Sequence, residues 1–289
     1  MSVLRWPTVK PLLLLLCLSL LVTACSRIGL AYRNLDWLVP WRLNDYLSLD
    51  QQQQAWLKPR LQAHLQWHCS AELPRYIDWL HTTESVLAQA QPDSTQLLEQ
   101  FAQFDGALKR ISVEITPTAI ELLQGLSEQQ VSELYAAVDE DNLEDRQDFL
   151  DPPRATQISE RRERMQERLR PWLGRLNHAQ TEHIAAWANG LGEQNRLWLD
   201  NRQLWQTQLR KTLAERDSAD FAEQLTRLLQ QREHFYSDEY RASYGRSRQA
   251  LARLFSQLLS SSDKAQRERL SHRLRDLRKD LAEQQCNAS

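Results

Sequence analysis

Five apolar residues near the middle of the chain, Phe101, Phe104, Leu108, Ile111 and Ile115, follow one another at spacings of 3, 4, 3 and 4. That rhythm puts all five on one face of an α-helix. It outweighs the period-two alternation of Ile111-Ser112-Val113-Glu114-Ile115-Thr116, which taken alone would suggest a strand. The same reading predicts helices over 27–46, 49–68, 71–90, 94–124, 128–150, 155–173, 178–214, 219–259 and 263–284. Pro117 should bend or stop the fourth, since its missing amide interrupts the ladder. Gly190 and Gly192 are candidate breaks in 178–214, and Gly245 in 219–259. Asp151-Pro152-Pro153 forces a turn. The connections are short, so the expected fold is all-α: a single elongated or closed array of about seven to nine mostly antiparallel helices.

Composition agrees. The chain has only 7 Gly, against 30 Gln and abundant Leu, Arg, Glu and Ala. Straight-chain residues lose little rotamer freedom in a helix, and few positions offer the positive φ that tight hairpins need.

One apolar run has no polar face. Leu12 to Val22 follows the basic residues Arg5 and Lys10. At about a dozen residues it is too short to cross roughly 30 Å of hydrocarbon, so it reads as a secretory signal. The four residues that close it, Val22-Thr23-Ala24-Cys25, resemble the bacterial lipobox. That resemblance implies a diacylglyceryl group on the Cys25 thiol, cleavage before it, and acylation (palmitate, for instance) of the new amino terminus. Three acyl chains, at roughly 0.8 kcal/mol per buried methylene, hold permanently. Ser26 stands where such proteins usually carry Asp when retained in the inner membrane. The resemblance therefore implies the periplasmic face of a Gram-negative outer membrane. The chain then divides into a signal peptide (1–24), a lipidated amino terminus with an aromatic tether (25–46) and an α-helical domain (47–289). Taking Arg5 and Lys10 from the 36 basic residues leaves 34 against 38 acidic, a net charge of −4. Such a balance gives no reason to expect a nucleic-acid partner.

Two further resemblances concern the mature chain. Leu47-Ser48-Leu49-Asp50-Gln51, Leu126-Ser127-Glu128-Gln129-Gln130 and Leu176-Asn177-His178-Ala179-Gln180 each place a small cap residue three positions before a Gln. Physically each is a capping box. The words also resemble the Leu-Thr-x-x-Gln motif of Spy/CpxP-type periplasmic proteins, helical cradles that chaperone envelope proteins or sense their misfolding. Ser or Asn replaces the Thr, and the spacings differ. Asn34-Leu35-Asp36-Trp37-Leu38-Val39-Pro40-Trp41-Arg42-Leu43, Trp67-His68-Cys69 and Glu72-Leu73-Pro74-Arg75-Tyr76 are similar to an uncharacterised family of Gram-negative lipoproteins. That likeness implies an envelope lipoprotein and brings no catalytic residue or cofactor with it.

Candidate chemistry is sparse. His64 and His68 share a helical face next to Cys69, a spacing that could start a zinc site, but no second ligand pair accompanies them. His178 and His183 diverge by about 140°, unlike the ligands of a zincin helix. The acidic run 139–145 lacks the central Gly of a calcium loop. No nucleophile elbow, phosphate loop or dinucleotide fingerprint occurs, so neither an enzyme nor a cofactor or metal site is expected.

Cysteine arithmetic is more productive. Cys17 leaves with the signal and Cys25 carries lipid, so Cys69 and Cys286 are the two thiols exposed to an oxidising compartment and are expected to pair. Trp37 and Trp41, one helical turn apart beside the anchor, are candidates to pack in the core or to sit at the membrane interface. Seven acids in 139–151 precede seven Arg in 154–175, and a turn at Pro152-Pro153 should fold the two segments together. The reading that follows is a lipid-anchored, non-catalytic protein-binding or scaffolding module with an envelope protein as partner. A Spy-like chaperone is the alternative, and an uncharacterised enzyme the second.

Overall fold

The computed structural model describes residues 32, 34–284 and 286; the signal, the lipobox, Cys25 and Ser26 lie outside the described residues. The described chain is helical from end to end. Its helices are α1 Leu35–Asn44, α2 Gln51–Trp67, α3 Leu73–Leu87, α4 Ser94–Gln124, α5 Glu128–Phe149, α6 Arg154–Leu173, α7 His178–Gly190, α8 Gln194–Ala214, α9 Phe221–Gln230, α10 Asp238–Ser260 and α11 Lys264–Ala282. A π turn, His68–Glu72, joins α2 to α3 in one rod. The described residues thus hold somewhat more helices than expected.

Two differences account for the excess. The 178–214 segment does divide at Gly190–Gly192, where Gly192 takes φ 57°. The 219–259 segment divides at 231–237, not at Gly245, which lies inside α10. Ser237 ends that break by accepting the Tyr240 amide at 3.1 Å, with Asp238 and Glu239 in the first turn of α10. Acids there favour the helix N-terminus. Pro117 does not stop α4, which runs on to Gln124.

Five helix starts are set by capping boxes, and each box uses a Gln. Ser127 with Gln130 and Asn177 with Gln180 close their helices at the expected residues. The first box sits two residues later than the sequence reading placed it, on Asp50 and Gln53, and Asp93 with Gln96 and Asp263 with Gln266 add two more. The glutamines also pair with one another. Gln53 and Gln130 exchange amide hydrogen bonds at 3.1 and 2.6 Å. Gln180 and Gln266 do the same at 2.9 and 3.0 Å. Each amide oxygen holds its own cap while each amide nitrogen ties two helix starts together, so these buried polar groups are satisfied.

Each pair marks one hydrophobic core. Around Gln53 and Gln130, Leu47, Leu57, Leu126, Val131, Leu213, Phe221 and Leu225 pack together. Around Gln180 and Gln266, Leu80, Met165, Leu173, Ile184, Leu254, Leu258 and Leu270 form the second core. The α2–α3 rod bridges the two cores, with Leu57 in the first and Leu80 in the second. Packing is largely between helices distant in sequence: α4 against α9 and α10, α3 against α11, and α5 against α8. The acidic run follows this pattern. It meets Arg202 and Arg210 of α8, not the Arg-rich α6. In α6, Arg161 is buried and donates to the Ala188 carbonyl at 2.8 Å.

The π turn is the most constrained joint. Glu72 is 0% exposed there, and Arg110 of α4 grips both its carboxylate oxygens at 2.8 Å, with Arg75 at 3.2 Å. Three residues earlier Cys69 is joined to Cys286 by a disulfide, Cα atoms 5.5 Å apart, which brings the carboxyl-terminal end of the chain onto the joint. His68 opens the π turn, 3.1 Å from the Tyr32 hydroxyl and edge-on to Tyr76.

Burial holds His68 below its ordinary pKa of 6.5, against the opposing pull of Glu72. The unfolded chain therefore takes up this proton more readily than the folded one. His68's contribution to stability is full above about pH 6.5 and declines below it, until the folded histidine protonates too. Urea midpoints at about pH 7.5 and about pH 5.5 should differ more in the wild type than in His68→Gln. Equal differences in the two proteins would contradict this.

Candidate binding surface

Helix α4 is packed on two opposite sides. On one, Arg110 holds Glu72, and Glu114 and Thr118 meet the two ring nitrogens of His64 at 3.1 and 2.7 Å. On the other, Ser112 donates to the Leu229 carbonyl at 2.7 Å, and Asp105 pairs with Arg248. The face between these sides is the apolar one read from the 3-4-3-4 spacing, and it is open. Phe104 is 50% exposed, Leu108 48% and Ile115 41%. Three large apolar side chains in line on one helix, kept in water, mark an interaction surface.

The stripe leads at its Phe104 end into a cavity of about 500 Å³ whose walls include Trp79, Leu97, Phe101, Trp187, Leu251 and Phe255. Trp79 packs on Phe104 with ring centroids 6.3 Å apart, and Phe101 meets Phe255 edge-on at 6.1 Å. The indole nitrogens of Trp79 and Trp187 are both buried and have no hydrogen-bond partner among the described residues. Arg248 sits at the rim, over the Phe101 ring. A ridge of aliphatic side chains, an aromatic socket and a charged rim are the parts of a protein-binding site.

The residues picked out from sequence are otherwise dispersed. Trp37 and Trp41 are 62% and 56% exposed, with rings stacked at 6.0 Å. The segment that carries them is docked: α1 packs on α2, and Leu43 and Tyr46 reach the first core. His64 and His68 have separate partners, and the sulfur of Cys69 is committed to the disulfide. His178 lies at the surface beside Glu182 at 3.1 Å. Among the described residues no cluster of His, Cys, Asp and Glu could hold a metal, and no helix is long and apolar enough to cross a membrane.

Sequence reasoning found the stripe and used it only to choose helix over strand. The 3-4-3-4 spacing shows that a face is apolar, not what covers it. The socket had no sequence signal, because its walls come from segments up to 176 residues apart, such as Trp79 and Phe255.

No curated protein and no solved structure matches the chain. Residues 45–241, which include α2 to α9, match a family of unknown function, and the chain therefore belongs to that family, DUF6279.

Proposed function

We propose that this protein is a lipid-anchored lipoprotein on the periplasmic face of the outer membrane, working as a non-catalytic module that binds or scaffolds another envelope protein. The anchor rests on Val22-Thr23-Ala24-Cys25 after its apolar run. The binding role rests on one observation, the uncovered stripe Phe104, Leu108 and Ile115 beside its aromatic socket. The stacked, exposed Trp37 and Trp41 suit the membrane interface, where indoles settle among the head groups.

A chaperone of the Spy type is the second reading, because an uncovered apolar stripe would also receive unfolded clients. The Gln words lend it less, since Gln130 and Gln180 close helix starts and Gln53 takes that role in place of Gln51.

Capture from detergent-solubilised membranes, with the anchor intact, separates the readings. The wild type should retain a short, reproducible set of envelope proteins, and Phe104→Glu with Leu108→Glu should lose it while keeping the wild-type circular dichroism. Both side chains are exposed, so the fold should tolerate the change. Suppression of aggregation of unrelated clients, with no defined partner, would favour the chaperone. A Cys25→Ala variant that stays in the outer membrane at wild-type mass would overturn the anchor.

A further inference from the structure

A second cleft lies between α5, α8 and the start of α10, away from the apolar stripe, with a volume of about 410 Å³. Its character is different. Tyr236 and Tyr240 meet at 89° with centroids 4.9 Å apart and form an aromatic corner, and Trp198 lines the same cleft. Polar groups are set between these rings. Asn201 is 7% exposed; its Oδ1 accepts the Ser237 amide at 3.0 Å, and among the described residues its Nδ2 has no hydrogen-bond partner. Arg232 lines the cleft and makes no ion pair among the described residues, whereas Asp141 accepts the Tyr46 hydroxyl and lies 3.9 Å from Arg202.

A free N–H₂ group on a side chain that is nine-tenths buried offers a fixed donor to a ligand that enters the cleft. Flat aromatic faces beside planar amide, guanidinium and carboxylate groups match a molecule with an apolar face and a polar rim. A pyranose ring is such a molecule: its axial C–H face stacks on an aromatic ring, and adjacent hydroxyls both donate and accept. Asp141 is opposed by Arg202, which leaves Arg232 as the charge without an ion pair among the described residues, so inorganic phosphate is the competing ligand to test. The volume falls in the range of small-molecule sites, about 300–1,000 Å³.

We propose that this cleft binds a saccharide, one pyranose ring resting in the aromatic corner with its hydroxyls on Asn201, Arg232 and Asp141. Burial pushes the Tyr240 phenol up to about 12, so it stays protonated and able to donate. The site is independent of the scaffold reading and survives its failure.

Full-length protein in a detergent that contains no sugar should be titrated with N,N′-diacetylchitobiose, maltotriose and inorganic phosphate. Tryptophan fluorescence and saturation-transfer NMR are the readouts. A saccharide should change both at millimolar concentration. A response to diacetylchitobiose alone would point to an amino-sugar polymer, and a response to both sugars to pyranoses in general. Trp198→Ala and, separately, the exposed Arg232→Ala should each weaken binding by about tenfold or more. Arg232→Ala keeps the test valid if Trp198→Ala fails to fold. No response to either sugar, a response to phosphate alone, or sugar binding unchanged in Arg232→Ala would each overturn the proposal.

Discussion

Replacing Arg110 by Ala is expected to destabilise the protein by about 3 kcal/mol or more, because it strands a buried carboxylate. Glu72 has no exposed surface, and Arg110 supplies two of the three side-chain hydrogen bonds that its oxygens accept among the described residues, both at 2.8 Å. Arg75, at 3.2 Å and largely exposed, is a weaker substitute. The pair itself need not add net stability, since taking both charges out of water is costly. Hence the double variant Glu72→Leu with Arg110→Leu should recover most of the loss. Urea unfolding of the three proteins measures this directly. A single variant that costs less than about 1 kcal/mol, or a double variant worse than Arg110→Ala, would contradict the clamp.

Loss of the disulfide is the second large effect. Cys69 and Cys286 are separated by 217 positions. In the chain-entropy model such a closure is worth on the order of 5 kcal/mol, an upper bound because unfolded chains retain structure. Cys286→Ser should therefore lower the unfolding midpoint markedly. Reduction of the wild type should reproduce that shift, and Cys69→Ser should add nothing to Cys286→Ser. The tail after α11 should also become open to proteolysis, since among the described residues the disulfide and the Gln66 side chain, donating to the Cys286 carbonyl at 3.2 Å, are what tie it to the rest of the fold. Two reactive thiols per chain in unreduced, denatured wild type would contradict the bond.

What the sequence made legible was local. Caps and breakers placed most helix ends to within a few residues, because a capping box is a contact between positions three apart. The first box still slipped by two, since Ser48 and Asp50 both precede a Gln at the right distance and only the fold decides between them. The break at 231–237 was missed because it contains neither Gly nor Pro, although Ser237-Asp238-Glu239 carried the start signal for α10. Long-range facts were out of reach. Nothing near residues 139–145 says that Arg202 and Arg210 will meet them in preference to the seven Arg that follow. The candidate surface divides in the same way: the stripe is periodic and visible, whereas its exposure and its socket depend on which helices flank α4.

Photo-crosslinking in living cells from positions 104, 108 and 115, with the exposed Glu239 as control, tests the scaffold reading most directly. The account predicts one or two discrete adducts from the three stripe positions, absent from the control. No adducts from the stripe, or the same diffuse set from stripe and control, would contradict it.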